Sequence, residues 1–214
     1  MTASKDILRR YTDLASLLDL LKRRAVTLLP PSTWDDRTDR LMMQTYAKVK
    51  NLETLLALCM SRKAETYHHW KVFTDKNNGV CIHFHKAPLI AAMKQSGVLV
   101  RPVKYLSFSA LARANLPPRQ LPYLKRIAFV DEGEVRAVYQ NKEREQELKR
   151  VPIGLEVIDR ITLNPWMPQQ IFDSVENVIE SMTKGAMFDV VRSNLIDSRT
   201  WRKFAAEYAK PDLL

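Results

Sequence analysis

Three charged residues spaced two apart stand out in the stretch "DEGEVR": Glu132, Glu134 and Arg136. Residues two apart on an extended chain project to the same side, so this pattern sets two carboxylates beside a guanidinium. Such a group can orient a hydroxyl, stabilise a developing cation and shift the pKa of each carboxylate. The competing interpretation is a solvent-exposed ladder of ion pairs between neighbouring strands, which carries no chemistry.

A second acidic cluster lies in "WDDRTD", directly after a Pro–Pro turn. Asp35, Asp36 and Asp39 have the hard oxygen ligands that divalent cations prefer. Aspartate at this position is also a common N-cap, and capping is favoured for at least one of the three. Asp36 is the strongest functional candidate of the cluster.

All four histidines of the chain lie between residues 68 and 85, in "HHWKVFTDKNNGVCIHFH". Cys81, His83 and His85 share one face of an alternating strand, as zinc or iron ligands can. A lone cysteine without a second Cys at CxxC spacing is a weak metal signal, so no metal site is predicted. The favoured interpretation is a helix–turn–strand unit in which Trp70 and Phe73 pack on a sheet, with His69 or Trp70 near a pocket.

The formal net charge is +10, from 34 Lys and Arg against 24 Asp and Glu. This balance favours an anionic partner: a nucleotide, a nucleic acid or an acidic protein. Arg136, Lys125 and Arg126 are the predicted anion-binding residues. A basic binding face is a second hypothesis, formed by the loop 113–122 together with Arg101, Lys104, Arg119, Lys125 and Arg126. The two commonest nucleotide-binding motifs, GxGxxG and GxxxxGK[ST], do not occur.

The cellular compartment is predicted from targeting and membrane segments that the sequence lacks. The N-terminal residues "MTASKDILRRYTDL" lack the apolar run of a signal peptide, and no long apolar stretch suggests a membrane span. With two cysteines, Cys59 and Cys81, predicted as free thiols, a cytoplasmic protein that does not bind membranes is expected. The oligomeric state is not predicted.

Helix and strand patterns are interspersed along the chain. Leucines 14, 17, 18 and 21 mark one face of a helix. "LLALCMS", "VCIHFH", "EVRAVY" and "IDRITLNP" indicate strands, and "MPQQIFDSVENVIESM" a later helix. "VLVRPVKYLSF" is predicted as one strand, with Pro102 hinting at a sheet edge, and "LARANLPPRQLP" as a lid-like loop. The pattern predicts one α+β domain over residues 1–214, with a mixed or antiparallel sheet flanked by helices.

An ordered set of stretches resembles the family of domains of unknown function numbered twenty-nine seventy-one, found in bacteria and phages. The resemblance covers about residues 7–201 and rests on these segments: "RRYTDLASLLDLLKRRAVTLLPPSTWDD", "CMS", "HHWKVFTDKNNGVCIHF", "VKYLSF", "KRIAFVDEGEVRAVY", "IDRITLNP" and "RSNLIDSRTW". The family's turn carries an aspartate at the position of Asp36. The resemblance implies a fold and no particular reaction.

The chain order of candidate residues also resembles that of ADP-ribosyltransferases. In those enzymes an Arg or His on an early strand, a Tyr or Ser on a middle strand and a Glu on a late strand form the site. The resemblance implies these roles for Arg10, Ser61 and Glu134, with NAD as the cofactor. The leading hypothesis is a nucleotide- or nucleic-acid-directed transferase in bacterial or phage conflict. The alternative is a non-catalytic basic module that binds nucleic acid or a protein partner.

Overall fold

A seven-stranded sheet forms the centre of the protein in the computed structural model, which describes residues 6–74 and 77–208. Its strand order is β11-β10-β4-β1-β3-β8-β5, and two further strand pairs, β2–β9 and β6–β7, lie outside it. The strands are β1 (Ile7–Asp13), β2 (Ala25–Leu28), β3 (Thr54–Ser61), β4 (Gly79–His85), β5 (Leu99–Pro102), β6 (Lys104–Leu106), β7 (Leu124–Arg126), β8 (Glu134–Asn141), β9 (Lys149–Pro152), β10 (Ile158–Leu163) and β11 (Asp189–Arg192).

Helices cover both faces of this sheet. They are α1 (Leu14–Arg23), α2 (Arg37–Lys50), α3 (Tyr67–Phe73), α4 (Lys86–Gln95), α5 (Phe108–Ala112), α6 (Gln169–Met182) and α7 (Arg199–Tyr208). Within the large sheet β10 and β11 are parallel, whereas the other paired strands are antiparallel. The predicted α+β fold with a mixed sheet flanked by helices is therefore confirmed. No helix among the described residues is long and apolar enough to cross a membrane.

The main hydrophobic core lies on one face of the sheet. Alternate residues of β3, β4 and β8 point into it, as the period-2 patterns of these strands predict, and α1, α4 and α6 cover it. Its fully buried members include Leu8, Leu17, Leu28, Leu56, Ile82, Phe84, Leu89, Met93 and Ile179. Tight packing on this face leaves the other residues of the same strands to form a site on the opposite face.

The opposite face carries the polar residues. A smaller cluster of Tyr11, Trp70 and Cys81 joins α3 to β1 and β4 there. Further along the sheet, α2 lies over β3 and β8. Asp36 begins α2 by accepting hydrogen bonds from the amides of Thr38 and Asp39, and this fixes the helix over the strands.

The sheet opens between β1 and β3. Strand β1 pairs with β4 along its whole length, but its register with β3 consists of one pair, Arg9 opposite Ser61. Two central strands that diverge in this way leave a gap in the middle of the sheet. The candidate site lies at that gap.

The structure differs from the sequence prediction in the segment before β8. The single strand predicted for "VLVRPVKYLSF" is two short strands, β5 and β6, which separate at Val103. Strand β5 is an edge strand, as Pro102 indicated. The predicted loop of residues 111–122 contains the end of α5 and a 3-10 segment, Pro118–Tyr123, because Pro117 and Pro118 fix the backbone torsion that begins such a turn.

Candidate active site

A cavity of about 380 Å³ lies where β1 and β3 separate. Its volume falls within the range of small-molecule sites, about 300–1,000 Å³. It is lined by Arg9, Arg10, Tyr11, Thr33, Trp34, Asp35, Asp36, Asp39, Cys59, Met60, Ser61, Val72, Phe73, Lys125, Phe129, Glu132 and Glu134. The walls therefore combine cations, carboxylates and aromatic rings.

Arg10, Ser61 and Glu134 all line this cavity, one from each of β1, β3 and β8. Ser61 pairs directly with Glu134 in the β3–β8 register. Arg10 reaches across the gap from β1, and its guanidinium donates to the carbonyl of Cys59 at 3.4 Å. The fold thus brings together the three residues that the sequence hypothesis grouped from chain order.

Glu134 is a buried and ionised carboxylate. Arg136 donates to it twice, from Nε to Oε1 at 2.8 Å and from Nη2 to Oε2 at 3.0 Å, and Lys125 Nζ lies 3.4 Å from Oε2. Burial favours the neutral acid, but Arg136 and then Lys125 outweigh it and lower the pKa of Glu134 to about 2. Glu134 therefore holds a fixed negative charge at the cavity wall.

Arg136 does not have the predicted anion-binding role. Its side chain is 0% exposed, and it forms a two-bond pair with Asp39, at 2.9 and 2.8 Å, besides its bonds to Glu134. Nη1 also donates to the carbonyl of Pro122, and the guanidinium lies 4.6 Å from the ring centre of Trp34. With its donors occupied by this chain, Arg136 holds Glu134 in place and offers nothing to a ligand. The competing interpretation of Glu132, Glu134 and Arg136 as a solvent-exposed ladder of ion pairs is also wrong, because helix α2 covers these residues and all three are buried.

Lys125 and Glu132 form the next part of the network. Lys125 Nζ lies 2.5 Å from Glu132 Oε2, and its side chain is 10% exposed. Glu132 does not lie on the strand as predicted: it ends a 3-10 segment, Ile127–Glu132, and Gly133 at φ 53° turns the chain into β8. That turn still directs both carboxylates towards Lys125. Burial raises the pKa of Glu132 against the opposing effect of Lys125.

Ser61 acts on this turn through its hydroxyl. Its Oγ donates to the carbonyl of Glu132 at 2.7 Å and accepts from the amide of Lys63 at 3.0 Å. The side chain is 4% exposed. Its role in this geometry is to position the Glu132–Glu134 turn.

Two other candidates have different roles from those predicted. Asp36 lines the cavity, but it is the N-cap of α2, so the capping interpretation is confirmed for it. Arg126 does not line the cavity. Its guanidinium lies 5.1 Å from the ring centre of Phe129, which does line the cavity.

His69 and Trp70 lie behind the cavity and not in it. Both are buried, and Trp70 donates its indole N–H to Glu65 at 2.5 Å. Their rings support Tyr11, whose ring centre lies 5.1 Å from that of His69 and 5.4 Å from that of Trp70. Tyr11 and Phe73 form the aromatic wall that faces the cavity.

Cys81, His83 and His85 share one face of β4, as predicted, but each has a separate partner. Cys81 packs with Tyr11 and Trp70, His83 lies 3.0 Å from Thr162 Oγ1, and His85 lies 3.8 Å from Asp159. Within residues 6–74 and 77–208, no three His, Cys, Asp or Glu side chains are arranged to hold a metal ion. The turn of the predicted helix–turn–strand unit includes residues 75 and 76, which lie outside the described part of the chain.

His83 should make stability pH-dependent. Burial, and then Arg9 and Arg160, lower its pKa to about 4 from 6.5. The unfolded chain binds the proton first, so stability falls as pH drops from 6.5 towards 4, by on the order of 1–3 kcal/mol. We expect the free energy of unfolding of His83→Gln, measured with urea, to fall less over this pH range than that of the wild type. The exposed His68→Gln is the control, and equal losses in the wild type and His83→Gln would contradict the assignment.

Sequence reasoning missed Arg9, Trp34 and Phe129 as cavity residues. Arg9 alternates with Tyr11 on the site face of β1, so the period-2 pattern held a signal for it. Its Nε atom is buried without a hydrogen-bond partner among the described residues. Trp34 and Phe129 lie outside the α-helices and β-strands, so no period in the sequence indicates which way their side chains point.

Comparison with solved structures gives similarity to DarT from Thermus sp. 2.9. The DarT complex with NAD+ matches with a TM-score of 0.47 and 10% identity, over 90% of this chain and 98% of that one. The DarT complex with ADP-ribosylated ssDNA matches with a TM-score of 0.45 and 9% identity, over 88% of this chain and 94% of that one. The complex with carba-NAD+ matches with a TM-score of 0.39 and 14% identity, over 89% of this chain and 96% of that one. No protein-family model and no curated protein matches the chain.

Proposed function

We propose that the cavity binds NAD and that the protein transfers the ADP-ribosyl group to a nucleophilic acceptor. The observation that carries the proposal is the convergence of Arg10, Ser61 and Glu134 on one cavity, with Glu134 ionised. We further propose that this activity serves bacterial or phage conflict, in line with the family resemblance, and that it takes place in the cytoplasm, in line with the two predicted free thiols.

The cavity supplies a group for each part of a dinucleotide. Arg9 and Arg10 suit a diphosphate, which arginine binds through charge-assisted hydrogen bonds. Tyr11, Trp34 and Phe73 present flat apolar surfaces for a planar ring. Glu134 suits a ribose hydroxyl, because an ionised carboxylate accepts hydrogen bonds.

The reaction follows from the fixed charge of Glu134. The bond between ribose C1′ and the nicotinamide nitrogen breaks, and its electron pair neutralises the pyridinium ring. Positive charge develops at the ribose, and the carboxylate stabilises it more strongly than it stabilises the ground state. The acceptor then forms a bond to C1′ and loses a proton. Water in the acceptor's place would give hydrolysis of NAD.

NAD should stabilise the folded protein. A ligand at about a hundred times its dissociation constant adds about 2.7 kcal/mol, which for a protein of this size raises Tm by about 5–11 °C. We expect Arg10→Gln to reduce the shift and the exposed Arg160→Gln, whose side chain does not line the cavity, to keep it. Differential scanning fluorimetry with NAD, ATP, a short oligonucleotide and zinc, each alone, makes the measurement.

The outcomes separate the hypotheses. A shift with the oligonucleotide alone that high salt abolishes would favour the basic binding module, because salt weakens phosphate contacts steeply. In that module Lys125 would take no part, since Glu132 and Glu134 already neutralise it. A rise in Tm with zinc, and with none of the other three ligands, would contradict both hypotheses.

A further inference from the structure

One row of directly paired residues crosses five strands of the large sheet and begins at the candidate active site. The register pairs Glu134 on β8 with Ser61 on β3, Ser61 with Arg9 on β1, Arg9 with His83 on β4, and His83 with Arg160 on β10. Directly paired residues point to the same face of a sheet, so the row lies on the cavity side throughout. Glu134, Ser61 and Arg9 line the cavity, and the row continues past its wall to His83 and Arg160.

The far part of the row is cationic. Burial, and then Arg9 and Arg160, lower the pKa of His83, so both guanidinium groups act on this imidazole. Charges of one sign directly opposite each other on neighbouring strands destabilise a sheet. An anion bound between the two arginines would offset that repulsion.

The two arginines have N–H groups that the described part of the chain does not use. Arg160 is exposed, and within residues 6–74 and 77–208 its side chain forms no hydrogen bond and no ion pair, although Asp189 on β11 is its register partner. Arg9 donates from Nη1 to the carbonyl of Lys63 at 2.9 Å, and its Nε is buried without a partner in the same ranges. Asp159, the carboxylate near this part of the row, lies 3.8 Å from His85. Arg160 therefore has its donors available for a ligand.

The length of the row fits a dinucleotide laid across the strands. Neighbouring strands lie about 4.8 Å apart, so Arg9 is about 10 Å from Glu134 along the row, His83 about 14 Å and Arg160 about 19 Å. With the reacting ribose carbon C1′ at Glu134, the diphosphate of the nucleotide reaches Arg9. About fourteen bonds join that C1′ to a phosphorus on the 2′-oxygen of the adenosine ribose, and such a chain spans roughly 17 Å when extended. A phosphate at that position would lie between His83 and Arg160.

We propose that the donor nucleotide is NADP in preference to NAD, and that His83 and Arg160 bind its 2′-phosphate. This phosphomonoester is the group by which the two nucleotides differ, and it carries about 1.5–2 negative charges at pH 7. Arg160 donates to it through charge-assisted hydrogen bonds. Bond breaking at C1′ is unchanged, and the transferred ADP-ribosyl group keeps the phosphate. The inference rests on the proposed function, because the position of Glu134 sets the orientation of the nucleotide.

Calorimetric titration of the whole protein with NAD, NADP and orthophosphate, each alone in chloride buffer, tests the proposal. The titrations are made on the wild type, Arg160→Gln and Arg144→Gln. Arg144 is an exposed arginine that follows β8, four strands from β10 in the order of the sheet, so the two variants are matched in the residue removed and the residue introduced. Both surface changes should leave the fold intact.

We expect NADP to bind the wild type about tenfold or more tightly than NAD, because charge-assisted hydrogen bonds are strong. Arg160→Gln should remove this preference and leave NAD binding unchanged, and Arg144→Gln should keep it. Equal affinities for NAD and NADP, or a preference that survives Arg160→Gln, would overturn the inference and leave the proposed function standing. Orthophosphate binding that needs Arg160, with equal affinities for the two nucleotides, would assign the row to free phosphate and also overturn it. No binding of either nucleotide would refute the proposed function itself.

The His83 ring gives an independent measurement. The groups that face it are Arg9 from β1, Arg160 and Asp159 beside it on β10, and Thr162, whose Oγ1 lies 3.0 Å from Nε2. A phosphate dianion favours the protonated ring, so the pKa of His83 should rise more with saturating NADP than with NAD. Nuclear magnetic resonance titration measures this pKa, and His83→Gln identifies the signal. Equal pKa values in the two complexes would contradict the assignment of the 2′-phosphate to His83.

Discussion

Replacing Glu134 by glutamine should lower the rate of nicotinamide release from NAD by about 10²–10³-fold. The side chain keeps its shape and loses the negative charge that faces the ribose. Because that charge acts mainly on the cation that develops during bond breaking, kcat should fall while the affinity for NAD changes little. Chromatographic measurement of released nicotinamide, with calorimetric titration of NAD, separates the two quantities.

Two controls make the Glu134→Gln result specific. Glu143→Gln removes an exposed carboxylate shortly after β8 and should leave both quantities unchanged. The Tm of Glu134→Gln must also be measured, because its amide N–H groups would face the donors of Arg136 and Lys125, a mismatch worth about 1–3 kcal/mol. A folded Glu134→Gln protein that released nicotinamide at the wild-type rate would refute the transferase.

Replacing Arg136 by methionine should give the largest loss of stability. Methionine fills similar volume, but Asp39 and Glu134 then lose their buried partner in the protein interior. Breaking a buried ion pair by removing one partner costs about 3–5 kcal/mol, which corresponds to a fall in Tm of about 6–20 °C here. Thermal unfolding followed by circular dichroism measures this fall.

The pH dependence of the Arg136→Met effect identifies its cause. In the wild type the pKa of Glu134 is lowered to about 2 from 4.5, so this carboxylate stabilises the fold above pH 4.5 and loses that effect as pH falls towards 2. The stability difference between the wild type and Arg136→Met should therefore shrink over this range. Arg101→Met, on the exposed edge strand opposite Arg136, should change stability by less than about 0.5 kcal/mol. A difference that stayed constant with pH would indicate lost packing and not an unpaired charge.

Local patterns in the sequence determined the elements and which side of each strand a residue faces. The alternation in "EVRAVY" set Glu134 and Arg136 on the side opposite Val135 and Ala137, and the structure has this arrangement. The predicted fold class followed from the order of such elements. Their grouping into one site, with Arg10 and Ser61, came from chain order in a resembled family and not from any local pattern.

Only the tertiary structure decided what covers each side. Period-2 alternation distinguishes two faces of a strand, but it does not say which face is wet, so Arg136 was expected at an exposed anion-binding surface. Helix α2 brings Asp39, 97 residues away in the chain, onto the Arg136 guanidinium and buries the pair. The gap between β1 and β3 likewise depends on where two strands separate, which is set by packing across the whole sheet. The sequence therefore determined which residues could take part in the site, and long-range packing decided that Glu134 faces the cavity while Arg136 holds it there.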